Sequence, residues 1–262
     1  SVNSASVMDA AGKRLETSVD VHLKIDTGFG RFGFLPNQLN ELSSLLTKFN
    51  NIRIAGTYSH LSFSFEKKPK YVQIQFDRFL SCTETLKQNG IDPGILHITN
   101  SCAFLRFNGL HLGAARIGSA FLGRIPIENI YGLQKIGYMK SRIIEVKDLP
   151  SKHSIGYANT YKTRRPARIG IVPVGYKDGF GVEKTRDTFR VVDILRYMYN
   201  DLKSFRKTVF VRVNSQKVPI LGRISMYNII VDLTGIDANI GSEVTLDVNP
   251  VLIDSSIPRE YI

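Results

Sequence analysis

Val21-His22-Leu23-Lys24-Ile25-Asp26-Thr27-Gly28-Phe29-Gly30-Arg31-Phe32-Gly33-Phe34 is an alternating strand that runs into a turn carrying three glycines and one arginine. Glycine allows a tight reversal and a close approach of backbone to ligand. Arg31 offers a planar fork of donors to an anion or a phenolate. By itself the stretch also fits a plain strand-to-helix connection. Its weight comes from the segments around it.

Strand and helix alternate on both sides. Residues 5–18 read as an amphipathic helix with Val7, Met8, Ala11 and Leu15 on one face. A strand at 20–25 follows, then a helix opened by Pro36 and carrying Leu39, Leu42, Leu45 and Leu46. Next come a strand at 52–58, a polar loop through Lys70, a helix over 71–89 and a strand at 95–98. Ala115-Arg116-Ile117-Gly118 reads as the end of a further short strand. Such alternation argues for parallel β/α units. Near residue 130 the pattern changes to short strand-like runs at 139–146, 167–174, 208–213, 218–222, 228–233 and 243–247. The expected fold is therefore α/β plus β, with domains at 1–132 and 133–262. A helical segment at 187–204 interrupts the second domain. Its stripe of Phe189, Val192, Leu195, Tyr199 and Leu202 is expected to pack against the core.

The 262 residues, 43% of them hydrophobic, suffice for a real core. No run approaches the length of a membrane-spanning helix, and no signal peptide is evident. The first residue is Ser rather than Met, which suggests a processed or truncated product. The two cysteines, Cys82 and Cys102, have no CxxC spacing, so neither a disulfide framework nor a metal site is expected. Reduced thiols suit the cytoplasm. The net charge of +12 raises the question of nucleic acid. The basic residues are dispersed, apart from Lys162 to Arg168, and no nucleic-acid module accompanies them. A solvated basic face, or attraction to small anions, is the preferred reading.

Chemistry-bearing residues cluster where strands end: Lys24 to Arg31, Ser59-His60, His97 to Ser101, and Arg116 to Ser119. In a β/α barrel, strand C-termini open on one face, which would gather Arg31, His60, Asn100, Ser101 and Arg116. Ser101 and the amides of Gly118 and Ser119 suit a phosphate. The second half adds tyrosines on glycine-flanked loops, among them Tyr157 and Tyr176. A tyrosine works as an acid or base only if its pKa, about 10 in water, is drawn toward neutrality.

The ordered stretches HLKIDTGFGRFGF, GTYSH, HITNS, ARIGSAFLG, GYANTY, VPVGYKDG, LGRISMYN and IPREY resemble the alanine racemase family of fold-type III pyridoxal-phosphate enzymes. The resemblance implies a TIM-type (β/α)8 barrel, here its C-terminal half, followed by a mostly β domain. It implies pyridoxal 5'-phosphate as cofactor and L- and D-alanine as substrates, for supply of cell-wall precursors. Tyr157 matches the catalytic tyrosine; Ile155 would take its place if Ser154 set the register, and the gapless register selects Tyr157. His60 and Arg116 would link that tyrosine to the pyridine nitrogen. Arg31 would bind the phenolic oxygen and the substrate carboxylate, and Lys24 matches a lysine that some members carbamylate. Ser101, Gly118, Ser119 and Tyr261 would bind the phosphate, while Met226 and Tyr176 would face substrate. A homodimer with shared active sites is implied.

The chain departs from that family in several places. It has no K-A-N/D-A-Y-G-H-G stretch bearing the Schiff-base lysine, and four β/α units are counted where a closed barrel needs eight. The expectation is a fragment that is inactive alone. Tyr227 stands where the family usually has Asp, which leaves a serine racemase open as an alternative. A non-catalytic relative that binds the cofactor is another. The helix at 187–204 is extra.

Overall fold

The computed structural model describes residues 1–14, 17–46, 48–66, 69–183, 186, 188–204 and 207–261. The chain divides into two compact units, Ser1–Lys135 and Ile136–Ile262.

The first unit is α/β. Its elements are α1 (Ala5–Arg14), β1 (Val19–Lys24), α2 (Leu39–Leu46), β2 (Ile52–Tyr58), α3 (Lys70–Gln88), β3 (Ile95–His97) and α4 (Ser101–Arg106). The strands form a parallel sheet in the order β1-β2-β3. Parallel neighbours need crossovers, and α2 and α3 supply them. Single parallel bridges extend the sheet: Val2 pairs with Leu23, and Arg116 pairs with Asn100. The residues expected as a strand around Arg116 thus form one bridge and no longer strand. Among the described residues the pairing at this edge is the Asn100–Arg116 bridge.

The core of this unit follows from periodicity. Leu23 and Ile25 from the β1 segment, Met8 of α1, Leu39 and Leu42 of α2, and Phe79 and Leu86 of α3 are completely buried. Each such burial stabilises by about 1.5–3 kcal/mol. Val7 faces solvent rather than the core. Leu15, expected on the buried face of the first helix, lies outside the described residues, as does Glu16. Pro36 opens a 3-10 turn over Pro36–Gln38 that leads into α2. Asn100 caps α4, its Oδ1 accepting from the Ala103 N–H at 3.1 Å.

The second unit is β-rich. It contains β4 (Tyr138–Arg142), β5 (Glu145–Leu149), β6 (Ser154–Ile155), β7 (Tyr161–Lys162), β8 (Ala167–Val172), α5 (Val191–Ser204), β9 (Phe210–Val213), β10 (Gln216–Pro219), β11 (Ile229–Asp232) and β12 (Glu243–Asp247). The sheets are β10-β9-β12-β4 and β11-β8-β5, with β6 and β7 as a separate pair. All of their ladders are antiparallel.

Two expectations change here. The run 139–146 is two strands in different sheets. The Ile143 N–H donates to Ser242 O at 3.0 Å, and the next N–H, of Ile144, donates to Ile171 O at 2.9 Å. The chain switches sheets at a buried Ile143, so one apolar run serves two ladders. The second change concerns α5, whose expected start at residue 187 lies outside the described residues. Its stripe does not pack: Phe189, Val192, Leu195, Tyr199 and Leu202 are all exposed and belong to no hydrophobic cluster of the described residues. The core of this unit is already filled by Val172, Val213, Ile229, Val231, Leu233, Val244 and Leu246, all completely buried.

Candidate active site

Each parallel strand of the first unit delivers chemistry at its carboxyl end. Lys24 ends β1; Tyr58 ends β2 and leads to Ser59 and His60; His97 ends β3. Carboxyl ends of parallel strands lie on one side of a sheet, where α/β folds bind ligands.

Arg116 is the hub. Its Nη1 donates to His97 Nδ1 at 2.6 Å and to the His97 carbonyl at 3.2 Å. Its Nη2 lies 2.5 Å from Ser59 O, 3.4 Å from Ile98 O and 3.5 Å from His60 Nδ1. The guanidinium also sits 4.7 Å from the centroid of the Tyr58 ring. That ring stacks on His97 with centroids 5.0 Å apart and planes at 3°.

Arginine has donors only, so Nδ1 of His97 must accept. The proton of His97 then resides on Nε2, which donates to His22 Nδ1 at 2.8 Å. Gly56 makes room for this contact. The β1–β2 register shifts between Val21 and His22, bringing His22 opposite Gly56.

The glycine turn is an anchored loop. The Asp26 carboxylate accepts the backbone N–H groups of Gly28, Phe29, Gly30 and Arg31 at 2.9, 2.8, 2.9 and 3.1 Å. Burial opposes its ionisation, but the four bonds outweigh it and hold the carboxyl below its ordinary range. Gly33, at φ 127°, passes so close that a Cβ would lie 2.6 Å from Asp26 N. The loop presents Arg31 against the Phe29 ring at 4.5 Å, and Phe29 meets His60 edge-on at 5.4 Å. The buried Lys24 ammonium lies 5.5 Å from the Phe32 centroid and 5.8 Å from that of Tyr58.

Ser101 joins this group through the 118–120 loop. Its Oγ accepts from Gly118 N at 2.9 Å and Ala120 N at 3.2 Å. Gly118 and Ser119 are exposed, and the space over the Gly118 Cα is open.

Tyr157, Tyr176, Met226 and Tyr261 lie in the second unit, and all four are exposed. Tyr157 follows Gly156 at φ 73° and precedes Ala158 and Asn159, both in the left-handed region. Such a turn holds a side chain outward at a cost of about 1–3 kcal/mol per strained residue. The loops bearing Tyr157, Tyr176 and Met226 meet through segment 222–226. Tyr176 N donates to Ser225 O, and Lys177 N to Met226 O, both at 3.1 Å. A Cβ on Gly222 would lie 2.9 Å from Ile155 O, so this glycine lets the two backbones touch.

Residues 1–126 match the alanine racemase N-terminal domain and residues 136–251 the alanine racemase C-terminal domain. The chain belongs to the alanine racemase family. It is 30% identical over 252 residues to the alanine racemase of Methanococcus maripaludis, covering 94% of this chain and 62% of that protein. It is also 30% identical over 271 residues to the alanine racemase of Clostridium novyi, covering 100% of this chain and 65% of the relative. Among solved structures, alanine racemase from Clostridium difficile superposes with a TM-score of 0.75 at 27% identity, over 96% of this chain and 62% of that one. The Bacillus anthracis alanine racemase with bound L-Ala-P gives 0.72 at 28% identity, over 94% and 60%. The chain therefore spans 62% and 65% of the length of the two curated relatives.

In this alanine racemase relative the electrostatics of the first-unit cluster favour an anion. Burial, then Arg116, Lys24 and Arg31, push the His60 imidazole below its ordinary pKa. Burial, then Arg116 and His22, push His97 down to about 4. Both imidazoles are thus neutral at pH 7, and the positive charge resides on Arg116, Arg31 and Lys24. Asp26 is consumed by its four amides. The sequence clusters took in Asp26 and His97 without a role for either, and left out His22 and Tyr58. The signal for His22 was a second polar residue on the alternating strand, opposite a glycine in the next strand.

Proposed function

We propose that this chain forms the cofactor-binding part and the β domain of a pyridoxal-phosphate-dependent racemase that interconverts L- and D-alanine in the cytoplasm for cell-wall precursors. The observation that carries the reading is Arg116, held between His97 and His60 at the carboxyl ends of parallel strands. The first unit is read as the C-terminal half of a (β/α)8 barrel. Bridges at Val2 and Arg116, which continue the parallel pairing beyond the three strands, support this.

The residues present fit the cofactor. A phosphate needs hydrogen-bond donors: Ser101, whose Oγ accepts from Gly118 N and keeps its own proton to give, holds the exposed 118–119 turn in place, and Gly118 and Ser119 would line the phosphate there, with Tyr261 as a further ligand. The surplus of cationic groups suits the phosphate, the phenolic oxygen and a substrate carboxylate. When bound, the cofactor supplies an electron sink that acidifies the α-C–H of the amino acid.

The chain's own groups do the rest. Arg116 would face the pyridine nitrogen. A guanidinium keeps its protons, so the ring nitrogen would remain unprotonated and side reactions would be restrained. Neutral His97 accepts from Arg116 and fixes its plane. His60 would carry a hydrogen bond from Arg116 toward Tyr157, which would take or return the α-proton. Arg31, held by the Asp26 loop, would orient the substrate carboxylate, with Lys24 (carbamylated in some family members) behind it. Tyr176 and Met226 would limit the substrate side chain. A homodimer would bring Tyr157 of one subunit to the cofactor of the other.

The chain has no K-A-N/D-A-Y-G-H-G lysine stretch. We therefore expect binding of the cofactor without turnover by this polypeptide alone. Titration with pyridoxal phosphate, followed by absorbance and by a D-alanine production assay, tests both statements. Absence of binding would sink the cofactor reading. D-alanine production by this chain alone would sink the requirement for a separate lysine segment. A second reading, racemisation of serine, is favoured by Tyr227, which stands beside Met226 with Lys177 5.3 Å from its ring centroid. Turnover of serine in preference to alanine by a lysine-bearing longer form would select it.

A further inference from the structure

Helix α5 is built as if one side were meant for something outside this chain. Val191, Ile194, Leu195, Met198, Tyr199 and Leu202 are between 42% and 74% exposed. At about 100° per residue they cover an arc of roughly 140°. None of them joins a hydrophobic cluster of the described residues. Isolated exposed apolar residues are ordinary, but a contiguous stripe along a whole helix is not.

The polar side of the helix is satisfied from within. Asp193 pairs with Arg190 at 2.7 Å and with Arg196 at 3.8 Å. Asp201 takes Arg186 at 2.6 Å, and that guanidinium also covers the Tyr197 ring at 4.8 Å. Both acids of the helix are therefore neutralised by neighbours. Lys203 stands in the last turn of the helix and Lys207 lies three residues beyond its end, on a chain of net charge +12. A broad apolar face beside basic residues, with its acids cancelled, is complementary to an anionic lipid surface.

We propose that α5 lies in the interface of an anionic membrane and holds this unit to it peripherally. Spanning is a separate matter: among the described residues no helix is long and apolar enough to cross a bilayer. A second copy of the helix is the weaker occupant. The 14 residues make two heptads, where a self-sufficient coiled coil needs about three to four. The arc is also wider than a coiled-coil seam. Nor do the two acids remain to pair with basic residues of another copy.

The test is sedimentation of the full chain with vesicles of phosphatidylcholine mixed with phosphatidylglycerol, against phosphatidylcholine alone. The chain is expected to co-sediment with the anionic vesicles, and the bound fraction is expected to fall as salt rises. Leu195→Glu and Leu202→Glu should each weaken binding about tenfold, because each removes an inserted apolar side chain. Both positions are exposed, so thermal unfolding should be unchanged and a loss of binding is not a loss of fold. No binding, or binding that both variants leave intact, would overturn the proposal. So would variants that halve the mass in light scattering without altering vesicle binding, since the face would then belong to a second copy.

Discussion

The Gly56 Cα and the His22 imidazole occupy adjoining space across the β1–β2 ladder: a Cβ on Gly56 would lie 2.6 Å from His22 Cε1 and 2.7 Å from Nδ1. The same Cβ would also stand 2.6 Å from Ile95 O on β3. Gly56→Ala should therefore displace the imidazole and strain the sheet, with a cost of about 1–3 kcal/mol in chemical denaturation. Removing the ring relieves one of the two clashes. The double variant Gly56→Ala with His22→Ala should be less destabilised than the sum of the singles. Simple additivity would show that the ring does not depend on this glycine.

Protonation of His97 should destabilise the fold in acid. Its folded pKa, about 4, lies below the ordinary value of 6.5. Above the ordinary value both folded and unfolded forms are neutral and nothing is lost. As pH falls toward 4, the unfolded chain binds the proton first, and stability drops by up to about 3 kcal/mol. His97→Gln should flatten that part of the pH–stability curve. An unaltered slope between the two values would exclude His97 as its source.

Arg116→Lys should leave a cation but lose the fork. A single ammonium nitrogen cannot occupy both positions from which Nη1 reaches the His97 ring and Nη2 reaches Ser59 O and His60. Loss of these charge-assisted bonds should cost about 1.5–3 kcal/mol. With the guanidinium gone from Nδ1, the His97 titration observed by NMR should move upward from about 4. A midpoint that stays in place would mean that burial and His22, rather than Arg116, set it.

Asp26→Asn should loosen the arginine loop. An amide retains one acceptor oxygen, whereas the carboxylate serves four N–H groups with two. A cost of about 1–3 kcal/mol is expected, with faster hydrogen exchange at Gly28 to Arg31. Because the folded pKa of Asp26 is depressed, its contribution is present above the ordinary carboxylate value. It is lost as pH falls through the folded one. Unchanged exchange in the loop would show that the four bonds are not what holds it.

Much of this architecture was legible beforehand because it is local. The period of α3, the alternation of β1 and the glycines after it report which face of each element is buried, and the parallel arrangement follows from the spacing of strands and helices. The sheet switch at Ile143 was not legible, since one continuous apolar run carries no mark of which partner each half will find. The outward stripe of α5 was misread for a related reason. Periodicity says that a helix has an apolar face, but whether that face meets a core depends on how much core the strands have already filled.

The order of elements, the placement of Lys24 and His97 at the ends of β1 and β3 with His60 just past β2, and the tyrosines on glycine-flanked loops were all readable from local patterns along the chain, whereas the strand expected around Arg116 is a single bridge. Folding was needed to bring His22 to His97 across Gly56, to divide Arg116 between two imidazoles, and to make Asp26, rather than the glycines alone, the anchor of the Arg31 loop. These depend on donor and acceptor geometry between residues as many as 75 positions apart. Hydrogen bonds act over about 3 Å, and such distances exist only once the strands have been brought side by side.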